Sequence, residues 1–123
     1  DLALEVLRDG RAFGIYPEGT RSRDGRLYRG RTGVGWLALT AGVPVVPVGL
    51  RGTEQIQPVG SSWPRLAKVS VSFGPPIHPE TYLGMPAGRA RRELTDDVMD
   101  AIATLTGQER AAEYNEVSVS EID

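Results

Sequence analysis

The first apolar stretches of the chain predict a helix followed by a strand. Apolar residues crowd positions 2–7 and are followed by Asp9 and Gly10, which predicts a short helix with a glycine at its C-terminal end. Residues 12–16 form a continuous rather than alternating apolar run, and Pro17 ends it. A run of this kind is typical of a strand that is covered on both faces in a parallel sheet.

A second helix and a second apolar strand follow. Thr32 is a candidate N-cap for a helix that ends near Gly42, and residues 45–50 then form another apolar strand. Pro47 lacks a backbone N–H, so it places this strand at an edge, a bulge or a strand terminus. Strand, helix and strand together predict one βαβ unit, in which the two strands lie parallel and the helix covers one face.

The second half of the chain changes pattern several times. Residues 51–67 are rich in glycine, proline and serine and are predicted to be irregular. Residues 68–73 alternate polar with apolar side chains, which predicts a strand near the sheet edge with one solvated face. Apolar residues recur every three or four positions up to about Thr106, which predicts one helix from residue 87 that packs on the sheet. Residues 109–123 carry five acidic residues and one arginine and are predicted to be a disordered tail.

These elements predict an α/β fold with a mostly parallel sheet flanked by helices. With 123 residues, 40% of them hydrophobic and 24% charged, the chain is sized for one ordinary globular domain. It contains no cysteine, which excludes disulfides and thiolate metal sites. No apolar run approaches the ~18 residues that a membrane-spanning helix needs. The helical pattern is already under way at Asp1, so we expect further sequence upstream.

The densest polar chemistry lies where the first predicted strand ends. A carboxylate, a glycine, a hydroxyl and a guanidinium stand there in direct succession, at Glu18, Gly19, Thr20 and Arg21. A guanidinium offers paired donors that match phosphate oxygens, and glycine lets the backbone approach a ligand closely. Five arginines lie between positions 21 and 31 although the net charge of the chain is only -2, so positive charge is concentrated here. The pattern favours a site for a small polar anion, and a surface turn with a solvated arginine is the alternative.

Several other functions are disfavoured. The glycines match no phosphate loop of the nucleotide-binding kinds, and no Gly-x-Ser-x-Gly elbow occurs. Nucleic acid is not an expected partner, because the sequence pI is 5.4 and only Tyr28 interrupts the arginines with an aromatic ring. The single histidine, His78, lies among prolines and is expected to be an ordinary surface residue.

Two segments of the sequence resemble the glycerophospholipid acyltransferase family, whose best-known members are the 1-acyl-glycerol-3-phosphate acyltransferases. The first runs from Ile15-Tyr16-Pro17-Glu18-Gly19-Thr20-Arg21-Ser22 to Arg31-Thr32-Gly33. The second is Ala41-Gly42-Val43-Pro44-Val45-Val46-Pro47-Val48-Gly49-Leu50. Both stand at the separation usual in that family, and the resemblance covers about residues 1–80. It implies that residues 1–80 are the C-terminal part of an acyltransferase domain. The apolar periodicity described above predicts that residues 81–108 provide a C-terminal helix packed on it.

The resemblance implies transfer of a fatty acyl group from an acyl-thioester to 1-acyl-glycerol-3-phosphate, which makes phosphatidic acid. It assigns acceptor binding to Glu18, Gly19, Thr20 and Arg21. Arg21 would hold the phosphate, while Thr20 and the backbone N–H of Gly19 would add donors. Glu18 would accept from Arg21 or from a substrate hydroxyl, or would instead hold the turn as a structural acceptor. Arg31 is interpreted either as a second phosphate contact or as a solvated surface charge.

The catalytic base of the family is missing from this chain. That base is a histidine in a His-x-x-x-x-Asp motif, in which the aspartate orients the imidazole. Five residues after His78 stands Leu83, so the motif is absent and we assign no catalytic residue. We expect the motif upstream, in the part of the protein that precedes Asp1, and we expect this chain alone to be inactive.

The resemblance also implies the partners of the intact protein. These are a lysophospholipid or glycerol phosphate acceptor and an acyl-CoA or acyl carrier protein donor, with no cofactor or metal. A mannosyl lipid is a further acceptor within the same class. The intact protein is expected at the cytoplasmic face of the membrane, bound peripherally through the missing part. The alternative is a non-catalytic phosphate-binding relative of the same fold, and a hydrolase or scaffold has no support in these residues.

Overall fold

The computed structural model describes residues 1–19, 25–52 and 69–114, and the first of its elements is the predicted N-terminal helix. Helix α1 spans Leu2–Arg8, and the side chain of its N-cap residue, Asp1, accepts a hydrogen bond from the Ala3 N–H. At the other end Gly10 has a φ of 80°, and its N–H donates to the Leu7 carbonyl. The Arg11 N–H donates to the Val6 carbonyl, which completes a Schellman ending. The prediction of a short helix closed by glycine is confirmed.

Helix α2 spans Gly33–Ala41 and follows Thr32, as predicted. Thr32 occupies the N-cap position but makes no capping hydrogen bond through its side chain within the described residues. Gly42 ends the helix in the left-handed conformation, with a φ of 67°, and its N–H donates to the Ala38 carbonyl over 2.8 Å.

The sheet seen in the described residues is a two-stranded antiparallel ribbon. Strand β1 spans Val48–Arg51 and β2 spans Ser70–Phe73, with Val48 opposite Phe73 and Arg51 opposite Ser70. The ribbon continues beyond β1 and β2, because the Gly74 N–H donates to the Pro47 carbonyl and Val45 pairs with Ile77. Both strand predictions for these segments are confirmed.

The predicted parallel pairing of residues 12–16 with residues 45–50 is absent from the described residues. Residues 12–16 belong to no strand, and Phe13, Ile15 and Tyr16 are 41%, 43% and 70% exposed. An apolar run shows that a segment suits a covered position, but a strand forms only where a neighbouring backbone completes its hydrogen bonds. In the described part of the chain residues 45–51 pair with residues 70–77 along one edge, and no strand pairs along the other edge, so the parallel prediction is wrong for these residues.

Helix α3 spans Ala87–Thr106 and organises the core, as predicted from its periodicity. Its buried side chains include Leu94, Val98 and Met99, and the main apolar cluster is formed by Ala38, Tyr82, Ala90, Leu94 and Val98. α3 packs against both α2 and β1. Two glycines permit these contacts. A Cβ on Gly35 would lie 2.4 Å from the Arg91 carbonyl oxygen, and one on Gly49 would lie 2.7 Å from the Leu105 Cβ.

A short 3₁₀ helix, Pro79–Tyr82, attaches the loop after the ribbon to α3. Tyr82 is buried, and its hydroxyl donates a hydrogen bond to the Asp97 carboxylate. Burial raises the pKa of Tyr82 well above its ordinary value, and the Asp97 carboxylate raises this pKa further. His78 is exposed and comes directly before the 3₁₀ helix.

Tyr82 is expected to make the stability of the fold sensitive to alkali. Because its folded-state pKa is raised, its contribution is complete below the unfolded pKa of ~10 and is lost as the pH rises above it. The free energy of unfolding of the wild type should therefore decrease between pH 10 and 11. This decrease should exceed that of Tyr82→Phe over the same interval by up to about 1.4 kcal/mol. Urea denaturation of both proteins at pH 9, 10 and 11 measures this difference. Equal slopes would show that Tyr82 ionises as freely in the folded state as in the unfolded state.

The segment after α3 pairs with residues near the arginine-rich loop. The Leu27 N–H donates to the Glu109 carbonyl, and the Ala111 N–H donates back to the Leu27 carbonyl. Leu27 and Arg110 form a parallel bridge, and the Arg29 N–H donates to the Glu113 carbonyl further along the same two segments. The disordered tail predicted for residues 109–123 therefore does not begin at residue 109, and residues 115–123 lie outside the described residues.

Candidate functional site

The turn that carries the candidate site is closed by its own backbone. The Gly19 N–H donates to the Tyr16 carbonyl over 2.9 Å, with Pro17 and Glu18 between them. Gly19 has a φ of 85°, a conformation that side-chain-bearing residues rarely adopt. Thr20 and Arg21, the other two predicted site residues, lie outside the described residues.

The Gly19 N–H has a different role from the one predicted. The interpretation as a phosphate donor requires this N–H to face a ligand, whereas in the structure it donates to the Tyr16 carbonyl and closes the turn. The glycine is needed for its backbone conformation and for the space it leaves, as Arg31 shows below.

Glu18 is buried although it carries a carboxylate, with 9% of its surface exposed. Burial of a carboxylate is costly unless hydrogen bonds or positive charge compensate it, so a buried glutamate in a turn indicates a polar environment built around it. This burial agrees with either interpretation of Glu18, as a residue that orders the site or as an acceptor that holds the turn.

Arg31 folds over the turn. Its N–H donates to the Pro17 carbonyl over 2.8 Å, which ties the two segments together. A Cβ on Gly19 would lie 3.1 Å from the Arg31 Cδ and 3.3 Å from its Nε, so the arginine side chain uses the space that glycine leaves. The structure thus brings Arg31 beside Glu18 and Gly19. The feature of the sequence that pointed to Arg31 is its position in the run of arginines between positions 21 and 31.

An aromatic ring from the far end of the chain contacts Arg31. The guanidinium carbon of Arg31 lies 5.1 Å from the centre of the Tyr114 ring, and that of Arg29 lies 5.3 Å from it, both within cation–π range. The Tyr114 hydroxyl accepts a hydrogen bond from Arg92 Nη1 at 3.1 Å. Sequence analysis did not single out Tyr114, although it is the only aromatic residue in the acidic segment 109–123.

Arg92 fixes this arrangement to helix α3. Its Nη2 donates to the Gly30 carbonyl at 2.6 Å and to the Asp96 carboxylate at 2.6 Å. One guanidinium therefore links α3, the backbone just before Arg31, and the hydroxyl of Tyr114. We call Arg92 and Tyr114 the platform.

Neither a metal site nor a membrane-spanning helix occurs among the described residues. Among residues 1–19, 25–52 and 69–114, no three histidine, cysteine or acidic side chains meet in a group that could hold a metal ion. None of the helices in that same part of the chain has the length and apolar character required to cross a bilayer.

The fold is shared with a solved acyltransferase. The structure of the 1-acyl-sn-glycerophosphate (LPA) acyltransferase PlsC from Thermotoga maritima superimposes with a TM-score of 0.64 at 30% sequence identity, over 85% of this chain and 42% of that one. The chain therefore has an acyltransferase fold.

Sequence comparisons agree with this class. A family model described as Acyltransferase matches residues 1–51, which include both the turn and Arg31. The chloroplastic 1-acyl-sn-glycerol-3-phosphate acyltransferase of Brassica napus is 47% identical over 58 residues, which are 47% of this chain and 17% of the relative. The enzyme of the same name from Borreliella burgdorferi is 43% identical over 52 residues, which are 42% of this chain and 21% of the relative.

The chain matches the acyltransferase family model over residues 1–51 and shares its fold with a solved acyltransferase. It spans about a sixth of the length of the plant relatives that it matches at 47% identity.

Proposed function

We propose that the protein containing this chain transfers a fatty acyl group to the free hydroxyl of 1-acyl-glycerol-3-phosphate and so makes phosphatidic acid. The proposal depends on one observation. The acyltransferase family model matches residues 1–51, and these residues contain both the turn and Arg31, which folds over it. Relatives that match 58 and 52 residues of the chain are named 1-acyl-sn-glycerol-3-phosphate acyltransferases. The chain contributes the acceptor-binding part of the site.

In this proposal the acceptor's phosphate lies between Arg21 and Arg31. Two guanidinium groups can bind a dianionic phosphate with several charge-assisted hydrogen bonds, and Thr20 adds a hydroxyl donor. Glu18 is available to hold this arrangement from its buried position beside Gly19. Such anchoring orients the acceptor's hydroxyl for attack and lowers the entropic part of the barrier.

The chemical step needs a base that this chain lacks. The hydroxyl oxygen attacks the thioester carbonyl and loses its proton to the base; the carbon–sulfur bond then breaks, and the sulfur takes the proton from the base and leaves as a thiol. We propose that the base is the histidine of a His-x-x-x-x-Asp motif upstream of Asp1.

Two further proposals concern the whole protein. We propose that residues 12–16 join a parallel sheet there, and that the protein works at the cytoplasmic face of the membrane.

Extending the reading frame upstream and assaying the full-length product tests the proposal. The purified protein should transfer a labelled acyl group from acyl-CoA or acyl carrier protein to lysophosphatidic acid, and replacing the upstream histidine by alanine should abolish transfer. Transfer to glycerol 3-phosphate instead would change the acceptor within the class. A reading frame without His-x-x-x-x-Asp, in a product that binds glycerol 3-phosphate without transfer, would identify a non-catalytic phosphate-binding relative.

A further inference from the structure

We infer that Tyr114 is a positioning residue for acceptor binding, because it holds Arg31 over the turn that carries the site. This inference rests on the proposed function. It adds a role for the segment after α3, which lies outside the matched residues 1–51.

The first argument is the continuity of contacts from α3 to the turn. Arg92 is bonded to Asp96 one helical turn further along α3 and to the Gly30 carbonyl. The same guanidinium donates to the Tyr114 hydroxyl, which restrains the ring. The ring contacts the Arg31 guanidinium, and the stem of Arg31 lies against Gly19. Each contact in this series constrains the next group.

The second argument concerns conformational freedom. An arginine on the surface loses side-chain entropy when a ligand immobilises it. A ring that already confines the guanidinium removes part of that loss before the ligand arrives, so binding is tighter without a new contact to the ligand.

The third argument is that residues 109–114 are fixed independently of the ring. The parallel hydrogen bonds from Leu27 and Arg29 hold the backbone of this segment, and Ala111 is buried. Tyr114 therefore presents its ring from a paired backbone. Replacing the side chain alone should leave this pairing in place.

The test uses the isotopically labelled 123-residue chain with glycerol 3-phosphate as the probe. In Tyr114→Leu, the Arg31 Nε–Hε resonance should lose its upfield ring-current shift. The dissociation constant for glycerol 3-phosphate should rise about fivefold, the order expected for loss of an exposed cation–π contact. Tyr114→Trp restores a ring and should return the constant to within about twofold of wild type. Tyr114→Phe loses only the bond to Arg92 and should fall between.

A matched control is available in the same stretch. Arg26 lies 5.2 Å from the centre of the Tyr28 ring, a comparable contact on an arginine with no assigned role in the site. Tyr28→Leu should leave glycerol 3-phosphate binding unchanged. In an Arg31→Gln background, Tyr114→Leu should cause no further loss, because the residue through which it acts has gone.

Two results would overturn the inference. One is an Arg31 Nε–Hε resonance that does not move in Tyr114→Leu, while amide spectra show the fold intact. The other is an equal loss of affinity from Tyr114→Leu with and without Arg31. Failure of the proposed function would give a different result. The wild-type chain would then bind no glycerol 3-phosphate, but the Arg31 Nε–Hε resonance without ligand would still show the contact between Tyr114 and Arg31.

Discussion

Replacing Arg21 by alanine in the full-length protein is expected to lower kcat/KM for lysophosphatidic acid by ~10² or more. A charged hydrogen-bond partner of a phosphate contributes ~1.5–3 kcal/mol, and its loss leaves the phosphate without that partner in the transition state. Arg21→Lys should recover only part of the activity, because an ammonium group cannot reproduce the paired donors of a guanidinium. Steady-state kinetics with lysophosphatidic acid as the varied substrate provides the measurement.

The control for this experiment removes the same charge nearby in the sequence. Arg26→Ala lowers the positive charge of the arginine run equally, and the contact of Arg26 with the ring of Tyr28 is given no role in the site. If both variants lose activity to the same extent, the arginines act through their general field and Arg21 has no special contact. An unchanged kcat/KM in Arg21→Ala would remove Arg21 from the site.

The second large effect is on stability, at the contact between α2 and α3. Gly35→Ala is expected to lower the free energy of unfolding by about 2–3 kcal/mol, as overpacking at a close backbone contact does. The added Cβ would lie 2.4 Å from the Arg91 carbonyl oxygen and 2.8 Å from Thr95 Oγ1, so the two helices must move apart. Urea denaturation with a shared m-value measures the change.

Gly33→Ala is the control for Gly35→Ala. It lies on the same helix, and a Cβ there would meet no atom within 4 Å among the described residues. Alanine is the better helix former, so this variant should be neutral or more stable by up to about 1 kcal/mol. Equal destabilisation at both positions would mean that glycine is needed in α2 for reasons other than the contact with α3.

Local periodicity was enough to predict the long helix α3 and the buried face it presents. Val98, Ile102 and Leu105 recur at spacings of four and then three, which a helix brings onto one face and a strand divides between two. Residues 12–16 could not be assigned in the same way. An apolar run indicates that a segment suits burial, but the identity and direction of its neighbour depend on segments elsewhere in the chain. The antiparallel ribbon shows this, since its strands were predicted but their pairing was not.

The candidate site could likewise be predicted where it depends on neighbouring residues, and not where it depends on residues far apart in the chain. The turn at Glu18 and Gly19 follows from local residues, and its location was predicted. The contact of Tyr114 with Arg31 joins residues from opposite ends of the chain, and no local pattern specifies it. The direction of the Gly19 N–H was also beyond prediction, because glycine has several accessible turn conformations and only the folded backbone selects one.

The pairing of residues 27–29 with residues 109–113 sets an order of events during synthesis. The arginine-rich stretch is synthesised before helices α2 and α3, whereas the backbone that pairs with it follows α3. Contacts between such distant segments form late, because the closure of a long loop must precede them. Arg31 can therefore meet Tyr114 only after α3 has been translated, so a nascent chain stalled before residue 109 would carry the turn and Arg92 without the other platform residue, Tyr114.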